Sequence, residues 1–535
     1  MGTGVGGGRV VFLPILVFAA YLLSIAIIAY IGAKRTKTLA DFVAASGQLG
    51  FWTYCLLMIG SVFSGMTLIG VAGLAFTTGW ANVWERIIGP PFAIAFGTII
   101  IGHKLFHLKD KNGILTIQDY LAYRYNDPVV MRILAGLISA VTCFVYLIGQ
   151  YTAIGVVSYI VLGIPYWMGA VIAAVIVVAY VMSGGMFSTA WTTFLQSILM
   201  LFGIYITVPI IISWVGGFEA MNHALSAMPQ IQNATRGVAS DFMFARFLSK
   251  PFAPATVPLA GWVYNLTLFG ITVPLGLMVA PHIVNNMLTF RKLSYTRWSP
   301  LVMYVIGFTA IMLTALAGMA ARVAWAEGMI DIPTLTLGNI EVKWSDMAYP
   351  TIASKALPYW LFVLLLPTIL AGVMSTTDRL ILTAANNISY DVIKNALGKN
   401  LSDGAVRKIN LVTVPLIGFG SLVIALYPQQ LLAWFIWAAL SIMVNCFFFP
   451  IVLGIYWKGM SRNAARLSMV FGFITTLATF AIFGKTIYLA GVPVYSVLPG
   501  FVVSLCTAVL VSVFDHSARS KRRKVMRMPD RTRAM

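Results

Sequence analysis

Gly372, Ser375, Thr376, Arg379, Thr383 and Asn386 recur at intervals of three and four within and just after a run, Trp360 to Leu382, that is long and apolar enough to cross a bilayer. That spacing places them on one face of a helix. In hydrocarbon such a face survives only where it lines protein or water, and polar groups at that depth point to a functional site. Ser375 and Thr376 offer two hydroxyls, and the Gly372 carbonyl one turn earlier offers a third oxygen if the helix is locally distorted. Neutral oxygens without a carboxylate suit a monovalent cation such as Na+. The competing reading is that the hydroxyls bond back to carbonyls of their own helix. Asp378 adjoins Arg379 and is expected to pair with it in the cytoplasmic vestibule, as a gate or as a structural contact.

One helix face cannot surround an ion, so further oxygens must come from elsewhere. Gly60-Ser-Val-Phe-Ser64-Gly65 interrupts another apolar span, and an unwound centre there would free carbonyls at Gly60 and Phe63. A later span is interrupted in a comparable way, by Gly270, Thr272, Pro274 and Gly276 and then by Ala280-Pro281-His282. Each interrupted span opens a group of five, and five being odd, the two groups run in opposite directions. Matched breaks in inverted halves point to a binding site at the membrane midplane; taken singly, such small residues serve close helix packing.

The elements that must position these groups follow from composition. The 535 residues are 60% hydrophobic and 10% charged, and the mean hydropathy is +0.89. This is an all-α polytopic membrane protein, with about 13 stretches long enough to span the hydrocarbon core. Residues 1–45 hold a first flanking helix and link, 46–215 the first five-helix unit, 216–257 an extracellular loop, 258–458 the second unit, 459–515 two flanking helices, and 516–535 a basic tail. The inside loop 103–130 has room for a short interfacial helix. Net charge is +20, and Lys and Arg cluster in alternate loops and in the tail from Arg519 to Arg533. The positive-inside rule puts the N-terminus outside and the C-terminus in the cytoplasm of a plasma (inner) membrane protein. The tail is expected to meet anionic lipid headgroups rather than nucleic acid. Cys55, Cys143, Cys446 and Cys506 each fall in a span and read as small buried apolar residues. Nothing fixes the oligomeric state, and a monomer is admissible.

No paired-carboxylate site, His/Cys cluster, phosphate-cradling loop or nucleophile elbow is present, so no enzyme and no organic cofactor is expected. Proton coupling would need a buried titratable group, for which Glu85, His282 and Asp378 are the candidates.

Gly184-Gly185, Trp191, Thr192-Thr193 and Gln196, then Ala280-Pro281-His282, Ala371 to Thr376, and Phe449-Pro450 to Gly454 and Trp457 occur in order along the chain. In these blocks the sequence resembles the sodium:solute symporter family, closest in pattern to the pantothenate and monocarboxylate members. The resemblance implies a leucine-transporter-type five-helix inverted repeat with broken first helices, working by alternating access. It implies sodium at the carbonyls of Gly60, Phe63 and Gly372 and the hydroxyls of Ser375 and Thr376. Solute is implied near Ser64, Gly65, Thr67, Thr272, Val273 and Gly276, with further contacts from Arg86 and Trp437; gating or coupling falls to Thr193, His282, Asp378 and Arg379. Two departures stand out. Thr193 replaces the family's signature aspartate, a charge associated with a second sodium in some members, which favours one sodium per cycle. Val62 stands where proline-transporting members carry an aspartate, which argues against proline.

The solute region is poor in side-chain polar groups, with Met66, Val273, Pro274 and Leu277 prominent. Sugars and polyols would bury unsatisfied hydroxyls there. A small organic acid needs an apolar wall and one anion site, for which Arg86 could clamp a carboxylate unless it pairs with Glu85 or snorkels. The expected function is Na+-coupled symport of such a solute; a proton-coupled or uncoupled carrier, a transporter-like solute sensor and a pore are the alternatives.

Overall fold

The computed structural model describes residues 9–82, 89–228, 231–233, 238–240, 263–264, 266–332, 335–337, 340–342, 344–398, 401–427 and 432–515. Apolar runs that find no partner in lipid must close their backbone hydrogen bonds on themselves, and these segments are helical nearly throughout. α1 (Arg9–Arg35) leads to the short α2 (Leu39–Ala44), α3 (Phe51–Val62) and α4 (Val71–Thr78). α5 (Pro90–Gly97) runs through a π-helical stretch, Thr98–Gly102, into α6 (His103–Asn112). α7 (Ile117–Tyr125), α8 (Val130–Leu162), α9 (Tyr166–Trp214) and α10 (Gly217–Ala227) follow. Next come α11 (Val273–Met278), α12 (Pro281–Asn286), α13 (Tyr295–Ala326), α14 (Ala348–Ala356), α15 (Tyr359–Asn386), α16 (Asp403–Ala425) and α17 (Leu432–Tyr456). α18 (Arg462–Phe483) and α19 (Leu498–Phe514) are the last two helices among the described residues. Local chemistry sets several starts. Thr38 with Asp41 and Thr116 with Asp119 form capping boxes, and the hydroxyls of Ser402 and Ser461 cap α16 and α18.

By length and composition nine helices among the described residues can cross a membrane, or ten if a bent pair counts as one. That pair is α3 with the π-helical turn Met66–Gly70 and α4, bent by 66°. α9 is 49 residues long, about 74 Å at helical rise and over twice the hydrocarbon thickness. It bends at Gly185, whose φ of 54° is open to glycine. Of the residues expected to interrupt the later span, Ala280-Pro281 mark the break. A π-helical stretch, Leu266–Thr272, continues directly into α11, and the helix breaks at Val279 and Ala280, so Thr272, Val273 and Gly276 precede the break. Proline at the start of α12 is the physical reason, since the residue before a proline is pushed out of the helical region.

The polar-faced helix is the one most withdrawn from lipid. α15 packs against α8, α9, α1, α3 and α16, and 82% of its apolar window is buried, against 22% for α1 and 28% for α18. Cys55, Cys143 and Cys446 are buried as expected, but Cys506 is exposed on α19. That peripheral helix presents apolar side chains on its open side as well, so burial does not follow from apolar character in a lipid-facing helix. Among the described residues three short antiparallel hairpins lie between helices: Ile231–Asn233 with Val238–Ser240, Leu335–Leu337 with Ile340–Val342, and Thr486–Leu489 with Val492–Tyr495. The last turns through Ala490 and Gly491, both with positive φ, and sets Tyr495 edge-on to Trp437 at 6.4 Å.

At the basic-loop end, a polar cluster ties the two halves together. Arg132 bonds Asp119 and lies 3.7 Å from Asp391. Thr116 donates to Asp391 at 2.7 Å, Tyr390 to Asp119 at 3.3 Å, and the Ile117 amide to Asn285 on α12 at 2.9 Å. One guanidinium thus serves two carboxylates. Arg132→Met is expected to cost on the order of 3 kcal/mol, because removing one partner leaves buried charge uncompensated. Melting followed in detergent should show the loss, with Arg132→Lys recovering part of it.

Candidate ion and solute site

The break after α3 can be accounted for bond by bond. Phe63 is the last residue to donate back into α3, to Ile59 at 2.9 Å, and it then turns extended (φ −82°, ψ 101°). Helical bonding resumes with Thr67 and Leu68 donating to the Ser64 carbonyl. The carbonyls at the break find partners from outside the helix ladder. Ser375 donates to Gly60 at 2.8 Å, and Thr376 donates to Phe63 at 3.1 Å and reaches Gly60 at 3.3 Å. Ser375 also lies 3.0 Å from the Gly372 carbonyl. All five oxygens expected at the ion site therefore meet in one buried nest. The hydroxyls are not spent wholly on their own helix; they bridge α15 to the break. When a cation enters, the hydroxyl protons must turn away so that lone pairs face the ion.

Glycine permits this approach. A Cβ at Gly60 would fall 2.4 Å from Ser197 Oγ and 2.6 Å from Thr193 Cγ2, and one at Gly372 would fall 2.5 Å from Leu68 Cδ1. Thr193 is thus wedged beside the nest, and its hydroxyl lies 3.5 Å from Asp378. Asp378 and Arg379 pair with each other at 3.1 Å and are 0% and 1% exposed. The expected vestibule pair is therefore an interior one, because α15 is enclosed along this face.

The expected solute residues divide. Ser64 and Gly65 lie at the break. Thr67 spends its hydroxyl closing that break, at 3.2 Å from the Val62 carbonyl and 3.3 Å from the Ser64 amide. Thr272 donates to the Thr267 carbonyl at 2.9 Å within the π-helical stretch. Gly276 is a packing residue, since a Cβ there would meet the Leu440 carbonyl at 2.8 Å. Val273 is buried on the same segment, and Trp437 packs edge-on against Phe269 at 5.8 Å. Arg86 and Glu85 lie outside the described residues.

Sequence reasoning passed over α8. Gln150 accepts from the Gly65 amide at 3.4 Å, and its Nε2 has no partner. Tyr146, one turn earlier on the same face, meets the His282 ring edge-on at 5.8 Å. His282 is completely buried, and neither ring nitrogen has a partner. Each such group costs about 1–3 kcal/mol unless something bonds it. Groups from α8 and, from the other half, α12 thus gather beside the first break, with the Gly65 amide at the start of a restarted helix, a favourable place for an anion. The available signal was an i, i+4 pair of polar residues, Tyr146 and Gln150, inside a strongly apolar helix.

Two substitutions test the nest. Ser375→Ala should raise the Na+ concentration needed for half-maximal stabilisation about tenfold, the equivalent of about 1.4 kcal/mol for one lost ligand. Gly60→Ala should abolish Na+-dependent stabilisation, because its methyl would force Ser197 and Thr193 away. Melting of purified protein titrated with NaCl against KCl measures both.

The sequence profile described as "Sodium:solute symporter family" matches residues 42–472. The sodium/proline symporter of Escherichia coli (strain K12) is 25% identical over 519 residues, covering 96% of this chain and 95% of that protein. The sodium/proline symporter of Salmonella typhimurium is 25% identical over 510 residues, with coverage of 94% and 93%. In structure, a Na+-coupled sialic acid symporter in its substrate-bound outward-open state superposes with a TM-score of 0.71 at 15% identity, over 94% of this chain and 97% of that one. Mhp1, a nucleobase-cation-symport-1 family transporter in a closed conformation, gives 0.50 at 13% identity, over 90% and 94%. The fold is the expected inverted-repeat transporter fold, its neighbours are transporters rather than enzymes, and the chain belongs to the sodium:solute symporter family.

Proposed function

We propose that this protein carries a small carboxylate, of the monocarboxylate or pantothenate kind, across the plasma membrane together with Na+ by alternating access. The observation that carries the ion half is the nest of Gly60, Phe63, Gly372, Ser375 and Thr376, closed across two helices by hydroxyl-to-carbonyl bonds. An ion that draws these groups together also sets the angle of the broken helix, and with it the position of Ser64 and Gly65. Ion and solute are coupled through that backbone. The solute half rests on the Gly65 amide, Gln150 Nε2 and the two His282 nitrogens, neutral groups in an apolar setting that can bond a carboxylate and one further polar atom. The basic loops favour an outside N-terminus and a cytoplasmic C-terminus, with the tail beyond residue 515 at the lipid headgroups.

A second reading is proline, which the relatives of printed name carry. A zwitterion needs an anionic or multiply accepting partner for its ammonium group. Val62 supplies none at the break, and the Asp378 carboxylate is already engaged by Arg379. Purified protein melted with small carboxylates, pantothenate, proline and sugars, each in Na+ and in K+, separates the readings. Stabilisation by a carboxylate in Na+ alone supports the proposal; stabilisation by proline alone replaces it with the second reading. Gln150→Ala and His282→Ala should each raise the solute KM by about tenfold or more while Na+-dependent stabilisation without solute persists. Uptake into proteoliposomes measures the first effect and melting the second.

A further inference from the structure

The ion and solute sites leave unused a pair of histidines on α6, the helix that carries Lys104, Lys109 and Lys111. His103 and His107 are four residues apart, one turn along the same helical face. Their rings meet edge-on with centroids 5.4 Å apart. Two imidazoles on one tetrahedral ion, with metal–nitrogen distances of about 2.0–2.1 Å, have centroids about 5 Å apart. The pair already stands at a chelating separation.

A metal ligand must also offer a bare nitrogen, and the hydrogen bonds fix which one. Nδ1 of His103 lies 3.0 Å from the hydroxyl of Thr296, in the first turn of α13. That hydroxyl has one proton and donates it to the Leu293 carbonyl at 2.8 Å. It can only accept from the imidazole, so the ring proton of His103 sits on Nδ1 and Nε2 keeps its lone pair. An oxygen that accepts from the far nitrogen is what fixes the tautomer and ring orientation of metal-binding histidines. Packing of two rings accounts for their distance, but not for a tautomer set from a second helix. His103 is half-buried and His107 exposed, so an ion can reach both. Among the described residues no third His, Cys, Asp or Glu joins them. Two protein ligands are too few for a structural or catalytic centre, and water completes the coordination. Lys104 beside the pair and Arg297 next to Thr296 make the surroundings basic, which weakens the hold on a dication.

We propose that His103, oriented by Thr296, and His107 form a reversible site for a divalent transition-metal ion. Imidazole nitrogen selects Zn2+, Ni2+ and Cu2+ over a hard ion such as Mg2+. A bound ion stiffens the turn from 103 to 107 and, through Thr296, its tie to α13. The site stands apart from the sodium and solute groups and does not depend on the symport reading. Only the side of the membrane it faces, the cytoplasmic one, follows from the proposed topology.

The experiment is Zn2+ binding to purified protein without a polyhistidine tag, measured by competition with a chromophoric zinc indicator. The wild type is expected to bind one Zn2+ per chain with a Kd on the order of 10 µM. H103A and H107A should each weaken binding at least about tenfold, for one lost ligand. T296V should weaken it about tenfold, whereas T296S keeps the hydroxyl and should stay near the wild type. H223A, on α10, should bind as the wild type does, and excess Mg2+ should displace nothing. Melting without metal shows which variants are folded, and the exposure of His107 keeps H107A available if H103A fails to fold. A wild type without saturable Zn2+ binding below about 1 mM overturns the proposal. So does wild-type affinity in a folded H107A or T296V, or displacement of Zn2+ by Mg2+.

Discussion

A backbone carbonyl released inside a membrane has no water to turn to, and the structure around the first break follows from that constraint. Interrupting α3 at Phe63 frees the carbonyls of Gly60 and Phe63, and leaving both unpaired would cost several kcal/mol. The hydroxyls of Ser375 and Thr376 offset this only if α15 comes close enough to touch the break. Close approach in turn needs Gly60 and Gly372, where a side chain would strike α9 or the segment after the break. The same bonds that satisfy the broken helix are therefore the ones a small cation would displace. On the proposed reading, ion binding and helix geometry are a single equilibrium.

Other ties distribute that equilibrium between the two halves of the molecule. Asn286, just after the second break, donates to Ser61, just before the first, at 2.8 Å. Leu49 and the segment Thr289 to Arg291 exchange backbone bonds of 2.9 and 3.1 Å. Thr116 and Ile117 reach Asp391 and Asn285 from the opposite half. These bonded groups link α3, α7 and α12, and with them the two breaks.

The charges buried here follow a common rule. Ionised groups inside a membrane protein need partners, and most of those in the described interior have them: Arg132 between two carboxylates, and Arg379 with Asp378. The neutral polar groups around the breaks do not follow it. His282 and the Gln150 Nε2 group are buried and unpartnered, a cost that a stable fold carries only where something else supplies the bonds. Such groups have accumulated where the two broken helices and α8 converge.

Much of this was legible in the residues. Glycine and hydroxyl spacing in 372–376, the small residues of 60–65, and their likeness to a known pattern singled out five oxygens that the fold brings together, because backbone breaks and intramembrane hydroxyls leave compositional marks that packing does not erase. The second break was named only as a group, Gly270, Thr272, Pro274, Gly276 and Ala280-Pro281, because all of these weaken a helix and local propensity cannot say which of them yields; the chain breaks at Val279 and Ala280, while the helix that holds Pro274 and Gly276 packs against α17 and α5. Tyr146 and Gln150 went unnoticed because two polar residues in an apolar helix have no meaning until His282 and Gly65 are brought to them across the fold. The Asp378 and Arg379 pair was visible as neighbours in the chain, but its burial against Tyr180, Thr192 and Thr193 was not. Sequence alone determined what must be kept out of water and which oxygens could face an ion, since hydrophobicity and helical periodicity act locally. Which buried groups meet was decided only in three dimensions, because contact between residues hundreds of positions apart depends on how closely whole helices can approach.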